Sequence, residues 1–250
     1  MAATRRKRRT SRRKVMKGGS TPFFSKAYVI NMDSSKERLN TIMDAAKKAK
    51  IELVRFPAVI PDKTAIERDA GAELQKQGIP ALIYMNRESK FQYPGTIGCF
   101  LSHRKLLEQI AGDSTNSSTA TLILEDDAIL QETLVQKVNE FVPDLPSDWD
   151  MCFIGKNHLD ADKVKNSVHK LKNQFNPIKN TGTWAYFVKN ASIKDKVLPS
   201  LKIMLNGMDA HYNFFQDKIN TYAVHPNILE HATHNAESSD RMNLNAAINK

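Results

Sequence analysis

The stretch Thr121-Leu122-Ile123-Leu124-Glu125-Asp126-Asp127 (TLILEDD) is a short apolar run that stops abruptly at three consecutive acids. An uninterrupted run of this length suits a strand covered on both faces, as in a parallel sheet sandwiched by helices. The three acids then fall at the carboxyl end of a strand, the edge of an open α/β sheet where ligands gather. Like charges held together are costly unless neutralised, and a divalent cation does that with hard oxygen ligands. The competing reading is a solvated turn with an N-cap aspartate for the helical pattern through Leu130, Leu134, Val138 and Phe141.

Working outward, the flanks alternate strand and helix. Ala27–Asn31 is a β-rich apolar run, and Ser34–Lys50 carries Leu39, Ile42, Met43 and Ala46 at helical spacing. Ile51–Val59 reads as the next strand, which makes a βαβ unit and predicts a parallel pair. A helix over Asp62–Gln77 is ended by Gly78-Ile79-Pro80, and Pro94-Gly95-Thr96 opens another that runs through Leu101, Leu106, Leu107 and Ile110. Gly112–Thr119 is a polar loop. Beyond the acids, Met151–Gly155, Ala185–Val188 and Thr221–Val224 read as strands, and Asn190–Leu205 and Asp209–Phe215 as helices. The lysine- and asparagine-rich segment between the first two of these strands is expected to be exposed and mobile. The fold class is α/β, with one domain built on a mixed, mostly parallel sheet, and the sequence has no internal repeat.

The 250 residues include 41% hydrophobic and 26% charged, an ordinary globular composition. The net charge of +10 is concentrated at one end. Arg5, Arg6, Lys7, Arg8, Arg9, Arg12, Arg13, Lys14 and Lys17 fall in one stretch without an acid, and the remainder is close to neutral. Residues 1–20 therefore read as a basic disordered tail able to contact a polyanion, with Gly18-Gly19-Ser20 as its joint. Residues 21–235 form the expected domain, and 236–250 a flexible C-terminal end. No apolar run is long enough to cross a bilayer, and no apolar stretch follows the N-terminal cations, so a cytoplasmic protein without signal peptide is expected. Cys99 and Cys152 lack CxxC or Cys/His ligand spacing; both are expected to be buried thiols, with neither a disulfide nor a zinc site. GxxxxGK[ST], GxGxxG and GxSxG are all missing, which disfavours Walker-type ATPases, Rossmann dehydrogenases and serine hydrolases.

Three ordered blocks resemble glycosyltransferase family 25, which includes bacterial lipooligosaccharide galactosyltransferases and procollagen galactosyltransferases. They are Tyr28-Val29-Ile30-Asn31-Met32-Asp33 with Glu37-Arg38, Gly95-Thr96-Ile97-Gly98-Cys99 with Ser102-His103, and Leu122–Ala128. Thr181–Tyr186 and Met208-Asp209 are similar to later blocks, so the resemblance runs from about Lys26 to Pro226. It implies a GT-A-like fold, a nucleotide-sugar donor (usually a UDP-sugar), a Mn2+ or Mg2+ ion, and inverting transfer of a hexose, galactose or glucose, to a protein or glycan hydroxyl.

The resemblance also assigns roles. Asn31, Asp33 and Arg38 fall where the family's pattern has nucleotide contacts, and Gly95, Gly98, Ser102 and His103 fall on the donor side. Asp127 is the leading metal ligand, with Glu125 or Asp126 nearer the ribose or sugar, and the choice among the three stays open. His225 would complete the metal shell, Asp209 would be the general base, and Trp184 and Tyr186 would stack on a sugar at the acceptor side. Each residue also has a structural reading: a turn and surface ion pair for Asp33 and Arg38, an N-cap for Asp209, a helix-packing histidine for His103, a surface histidine for His225, and core for the two aromatics. Two features depart from the pattern. The segment Asn227–Asp240 lacks the serine-containing end expected after Pro226, with Ser238-Ser239-Asp240 as a displaced counterpart. The basic tail resembles the Lys/Arg-rich, Gly-Gly-ended N-termini of some proteins encoded by large DNA viruses, which would place the chain in host cytoplasm or virion. The competing functions are a nucleic-acid- or virion-associated binding protein with a degenerate transferase body, and a metal-dependent phosphoesterase using the same acids.

Overall fold

The computed structural model describes residues 23–79, 93–113, 118–172 and 179–232. The basic tail, the expected C-terminal end, Ser238-Ser239-Asp240, Pro80 and the middle of the Gly112–Thr119 loop lie outside the described residues.

The first half of the chain follows the alternation expected from sequence. Strand β1 (Phe24–Asn31) leads into α1 (Lys36–Lys48), β2 (Leu53–Pro57), α2 (Lys63–Lys76), α3 (Tyr93–Gly112) and β3 (Ala120–Glu125). β1 pairs parallel with β2 (Tyr28 opposite Val54) and with β3 (Tyr28 opposite Ile123). In β1 the side chains alternate between two cores, Ala27 and Val29 on one face and Tyr28 and Ile30 on the other. Leu122 and Leu124 of β3 join the first core and Ile123 the second. Helix α1 turns Ile42 and Ala46, four residues apart, onto the first core. Helix α3 sends Ile97, Phe100, Leu101, Leu106 and Leu107 into the second.

After the acids come β4 (Ala128–Ile129), α4 (Leu134–Phe141), β5 (Met151–Asn157), β6 (Ala161–Lys165), β7 (Val168–Leu171) and β8 (Thr181–Lys189). Then follow α5 (Asn190–Ser192), a π turn (Ile193–Val197), α6 (Leu198–Ser200), α7 (Met208–His211), β9 (Thr221–Val224) and β10 (Glu230–His231). Eight strands form one sheet in the order β2-β1-β3-β8-β5-β9-β7-β6. β8 runs against both β3 and β5, and β7 against β9 and β6, while the other pairings are parallel. Six of the eight strands therefore run in one direction with β8 and β7 against them, a mixed sheet with most strands parallel in direction, as expected, and helices lie on both faces.

Three expectations are corrected. The lysine- and asparagine-rich segment forms, over part of its length, the hairpin β6–β7, with β7 laid against β9. Lys163 and Lys165 are exposed on the outermost strand, where charge discourages pairing with another chain. The pattern through Leu130 is not all helix, since Ala128–Ile129 pairs with β10 and the helix starts at Leu134. Asn190–Leu205 is not one regular helix: Pro199 has no N–H to give the carbonyl four residues back, and the preceding turn widens to π. A buried polar brace holds this region. The Asp150 carboxylate, at the head of β5, accepts from Ser192 Oγ (2.5 Å), Lys196 Nζ (2.9 Å) and the Asn220 amide (2.9 Å).

Candidate active site

The parallel strands β1 and β3 end at the same edge, and antiparallel β8 begins there, with Leu124 opposite Ala185. The front of α3 and helix α7 close the space above this edge into a cleft of about 490 Å3, well inside the range of small-molecule sites. It takes in every site residue expected from the sequence except Asp33, Tyr186 and His225.

The three consecutive acids make separate contacts, with Glu125 closing β3 and Asp126 and Asp127 on the turn that leads to β4. Glu125 Oε1 accepts from Thr183 Oγ1 (2.5 Å) and lies 3.2 Å from His103 Nε2. Asp126 accepts from Asn31 Nδ2 (2.6 Å) and sits 3.4 Å from the Arg38 guanidinium. Asp127 keeps a buried Oδ1 with no hydrogen-bond partner. Burial, then the charges of Glu125 and Asp126, push its carboxyl up to about 7 against the pull of Arg38 and His231. A buried carboxylate oxygen without a donor is costly as it stands. It suits a hard cation, so among the three acids Asp127 is the one whose donor atom fits Mn2+ or Mg2+.

The other expected residues fall into two groups. Asn31 is buried and braced, its Oδ1 accepting from Arg55 Nε (2.9 Å) while its amide holds Asp126. Ser102 pins the helix to the loop, donating to the Gly98 carbonyl (2.6 Å) and accepting from the Val59 amide (2.8 Å). Gly98 is required at that crossing, since a Cβ there would come within 2.8 Å of the Val59 carbonyl oxygen. Asp209 lies in the first turn of α7, whose N-cap is Gly207, and its Oδ1 accepts from the Ala210 amide (2.9 Å). Of the remaining four, Asp33, His225 and Tyr186 lie outside the cleft, and Trp184 lines it with its ring buried. Asp33 points to solvent, paired with Arg55. His225 is exposed and packs on His169, away from the acids. Tyr186 is fully buried, its hydroxyl 2.9 Å from His103 Nδ1, so no sugar reaches its ring. Trp184 lines the cleft but is only 4% exposed, with its indole N–H given to the Leu229 carbonyl (3.0 Å) and its ring against His231.

The chain matches the model of Glycosyltransferase family 25 (LPS biosynthesis protein) over residues 24–195, more than half its length. The chain belongs to glycosyltransferase family 25. A family member from Aedes aegypti, named as a glycosyltransferase 25 family member, is 26% identical over 145 residues, covering 56% of this chain and 23% of that protein. Procollagen galactosyltransferase 2 of Homo sapiens is 22% identical over 156 residues, 60% of this chain and 24% of that protein. These matches thus span about a quarter of the curated relatives' own length. Among solved structures, S. aureus TarS 1-349 overlaps 83% of this chain and 60% of its own at TM-score 0.45 and 12% identity.

Four residues of this family 25 chain entered the site unannounced by sequence. His231 reaches the acids because β10 pairs with β4, His231 opposite Ala128, and the Ala232 amide donates to the Asp127 carbonyl (2.8 Å). A two-residue ladder between distant segments leaves no periodicity to read. Arg55 was visible only as a charge inside the strand LVRFP. Lys156, on β5, is buried with its ammonium donating to the Gly182 carbonyl (3.2 Å) and 3.8 Å from the centre of the Phe153 ring. Burial pushes it down to about 7, opposed by the charge of Asp209. Cys99, expected to be a buried thiol, instead lines the cleft half-buried beside His103 and Glu125, whereas Cys152 is buried as expected.

Proposed function

We propose that this family 25 chain transfers a hexose, galactose or glucose, from a UDP-sugar to a hydroxyl of a protein or glycan acceptor, inverting the anomeric carbon. The observation that carries this reading is the unpartnered, buried Asp127 oxygen at the carboxyl end of β3, inside a cleft wide enough for a nucleotide-sugar. The names of the procollagen galactosyltransferase relatives support galactose as the sugar moved.

In this reading Asp127 holds a manganese or magnesium ion, which when bound stabilises the negative charge that builds on the departing diphosphate. Arg38 faces the same diphosphate and offers planar donors to its oxygens. Asn31 donates to one oxygen of Asp126 while the other faces the Arg38 guanidinium, which fixes that pair at the donor side, with Glu125 or Asp126 nearer the ribose or sugar. The acceptor oxygen forms its bond to the anomeric carbon as the carbon–oxygen bond to the diphosphate breaks. The acceptor proton passes to the Asp209 carboxylate, and the nucleoside diphosphate leaves with the bonding pair.

The test is calorimetric titration of the full chain with UDP-galactose and UDP-glucose, with and without Mn2+, alongside transfer or donor hydrolysis. Asp127→Ala is expected to abolish the manganese-dependent part of binding and to cut turnover by about 100-fold or more. Asp209→Asn is expected to keep donor binding while turnover falls roughly 100-fold or more. Wild-type protein that binds neither donor with Mn2+ present would end the proposal. The nine cations between Arg5 and Lys17 support a separate polyanion contact.

A further inference from the structure

A cluster in the cleft remains that neither the diphosphate nor the Asp127 ion uses. Against the expectation that Cys99 has no Cys/His ligand spacing, Cys99 and His103 lie four residues apart on α3, which stacks their side chains on one helix face. Glu125, at the end of β3, meets that face from below. The Cys99 sulfur, a His103 ring nitrogen and a Glu125 carboxylate oxygen all lie within 4.8 Å of one another. One pair, His103 Nε2 and Glu125 Oε1, is already 3.2 Å apart. Tetrahedral zinc, with bonds of about 2.0–2.3 Å, sets its ligand atoms roughly 3–4 Å from each other. Small side-chain rotations therefore close the set.

We propose that Cys99, His103 and Glu125 form a binding site for a thiophilic divalent ion of the Zn2+ class, distinct in chemistry from the hard-cation position at Asp127. Thiolate and imidazole select zinc or cadmium over manganese and magnesium, and three protein ligands leave one position open to the cleft. The surroundings fit such a role. His103 Nδ1 lies 2.9 Å from the Tyr186 hydroxyl, an outer contact that fixes the ring and can take the Nδ1–H when Nε2 turns its lone pair to a metal. A second hydroxyl, that of Tyr212, is buried without a hydrogen-bond partner. On binding, the Cys99 thiol releases its proton to solvent and the imidazole shifts tautomer, so no redox partner is required.

The site stands on side-chain geometry and does not depend on the transfer reading. The experiment titrates the metal-free full chain with Zn2+, Cd2+ and Mn2+, comparing wild type with Cys99→Ser, Glu125→Gln and Asp127→Asn. Wild type is expected to take up one Zn2+ or Cd2+ and to show the ultraviolet thiolate–cadmium absorption. The chain has two cysteines and Cys152 is fully buried, so that band reports Cys99. Cys99→Ser is expected to weaken Zn2+ by about 100-fold and Glu125→Gln by about tenfold or more, with Mn2+ binding unchanged in Cys99→Ser. Cd2+ uptake without the band in wild type, or Zn2+ affinity unchanged in Cys99→Ser, overturns the proposal. Loss of Mn2+ binding in Asp127→Asn with Zn2+ retained bears only on the hard-cation position.

Discussion

Lys156 shows how a single buried charge is balanced at the cleft. Its ammonium has one carbonyl, one aromatic face and the charge of Asp209 to replace water, and burial outweighs them, leaving it at about 7. The folded state therefore binds fewer protons than the unfolded chain between about 7 and the ordinary lysine value of 10.5. Stability contributed at this position rises with pH across that window and is at its lowest below it. At about 1.4 kcal/mol per pH unit, charging Lys156 costs on the order of 5 kcal/mol. Lys156→Met is thus expected to be more stable than wild type at pH 6, with the advantage shrinking towards pH 9. Urea unfolding of both proteins at the two pH values measures this, and a difference that does not change with pH contradicts it.

Among elements, the Asp150 brace is the most exposed to a single change. One carboxylate serves the head of β5, the α5 region and the turn before β9. Asp150→Ala leaves the Ser192 hydroxyl and the Asn220 amide without their acceptor and is expected to cost roughly 3 kcal/mol, read as a lower midpoint in urea with an unchanged slope. A loss under 1 kcal/mol would mean that water replaces the carboxylate. The β1–α1–β2 unit and β3 were legible because each carries its own period: alternation onto two cores in β1, Ile42 and Ala46 in α1, an unbroken apolar run in β3. The β6–β7 hairpin was not, since Lys163 and Lys165 hide the pattern on an edge strand with little core to serve. The site divides the same way. Asn31, Arg38, Asp127 and Asp209 follow strand ends or open a helix, places that sequence marks. His231, Lys156 and the approach of Glu125 to Cys99 and His103 depend on which elements lie side by side, which local sequence does not record.

At the scale of the whole molecule, charge and chemistry are separated along the chain. The basic stretch holds the net charge and the remainder is close to neutral, so binding to a polyanion is expected to be electrostatic and independent of its sequence. Affinity for duplex DNA or heparin should fall steeply between 50 and 200 mM salt, by about 1,000-fold or more if six or more phosphates are neutralised. Replacing the nine cations with glutamine should abolish that binding and leave UDP-sugar titration unaltered; donor binding lost in the same variant would contradict the separation. The direction of β1 adds a spatial side to this. Its last residue, Asn31, reaches the cleft, so Phe24 enters the sheet at the far edge, roughly 25 Å away. β10, in contrast, ends beside Asp127. A bead, dye or scaffold joined directly before Phe23 would leave the mouth of the cleft facing outward, whereas cargo joined directly behind Ala232 would stand in its doorway.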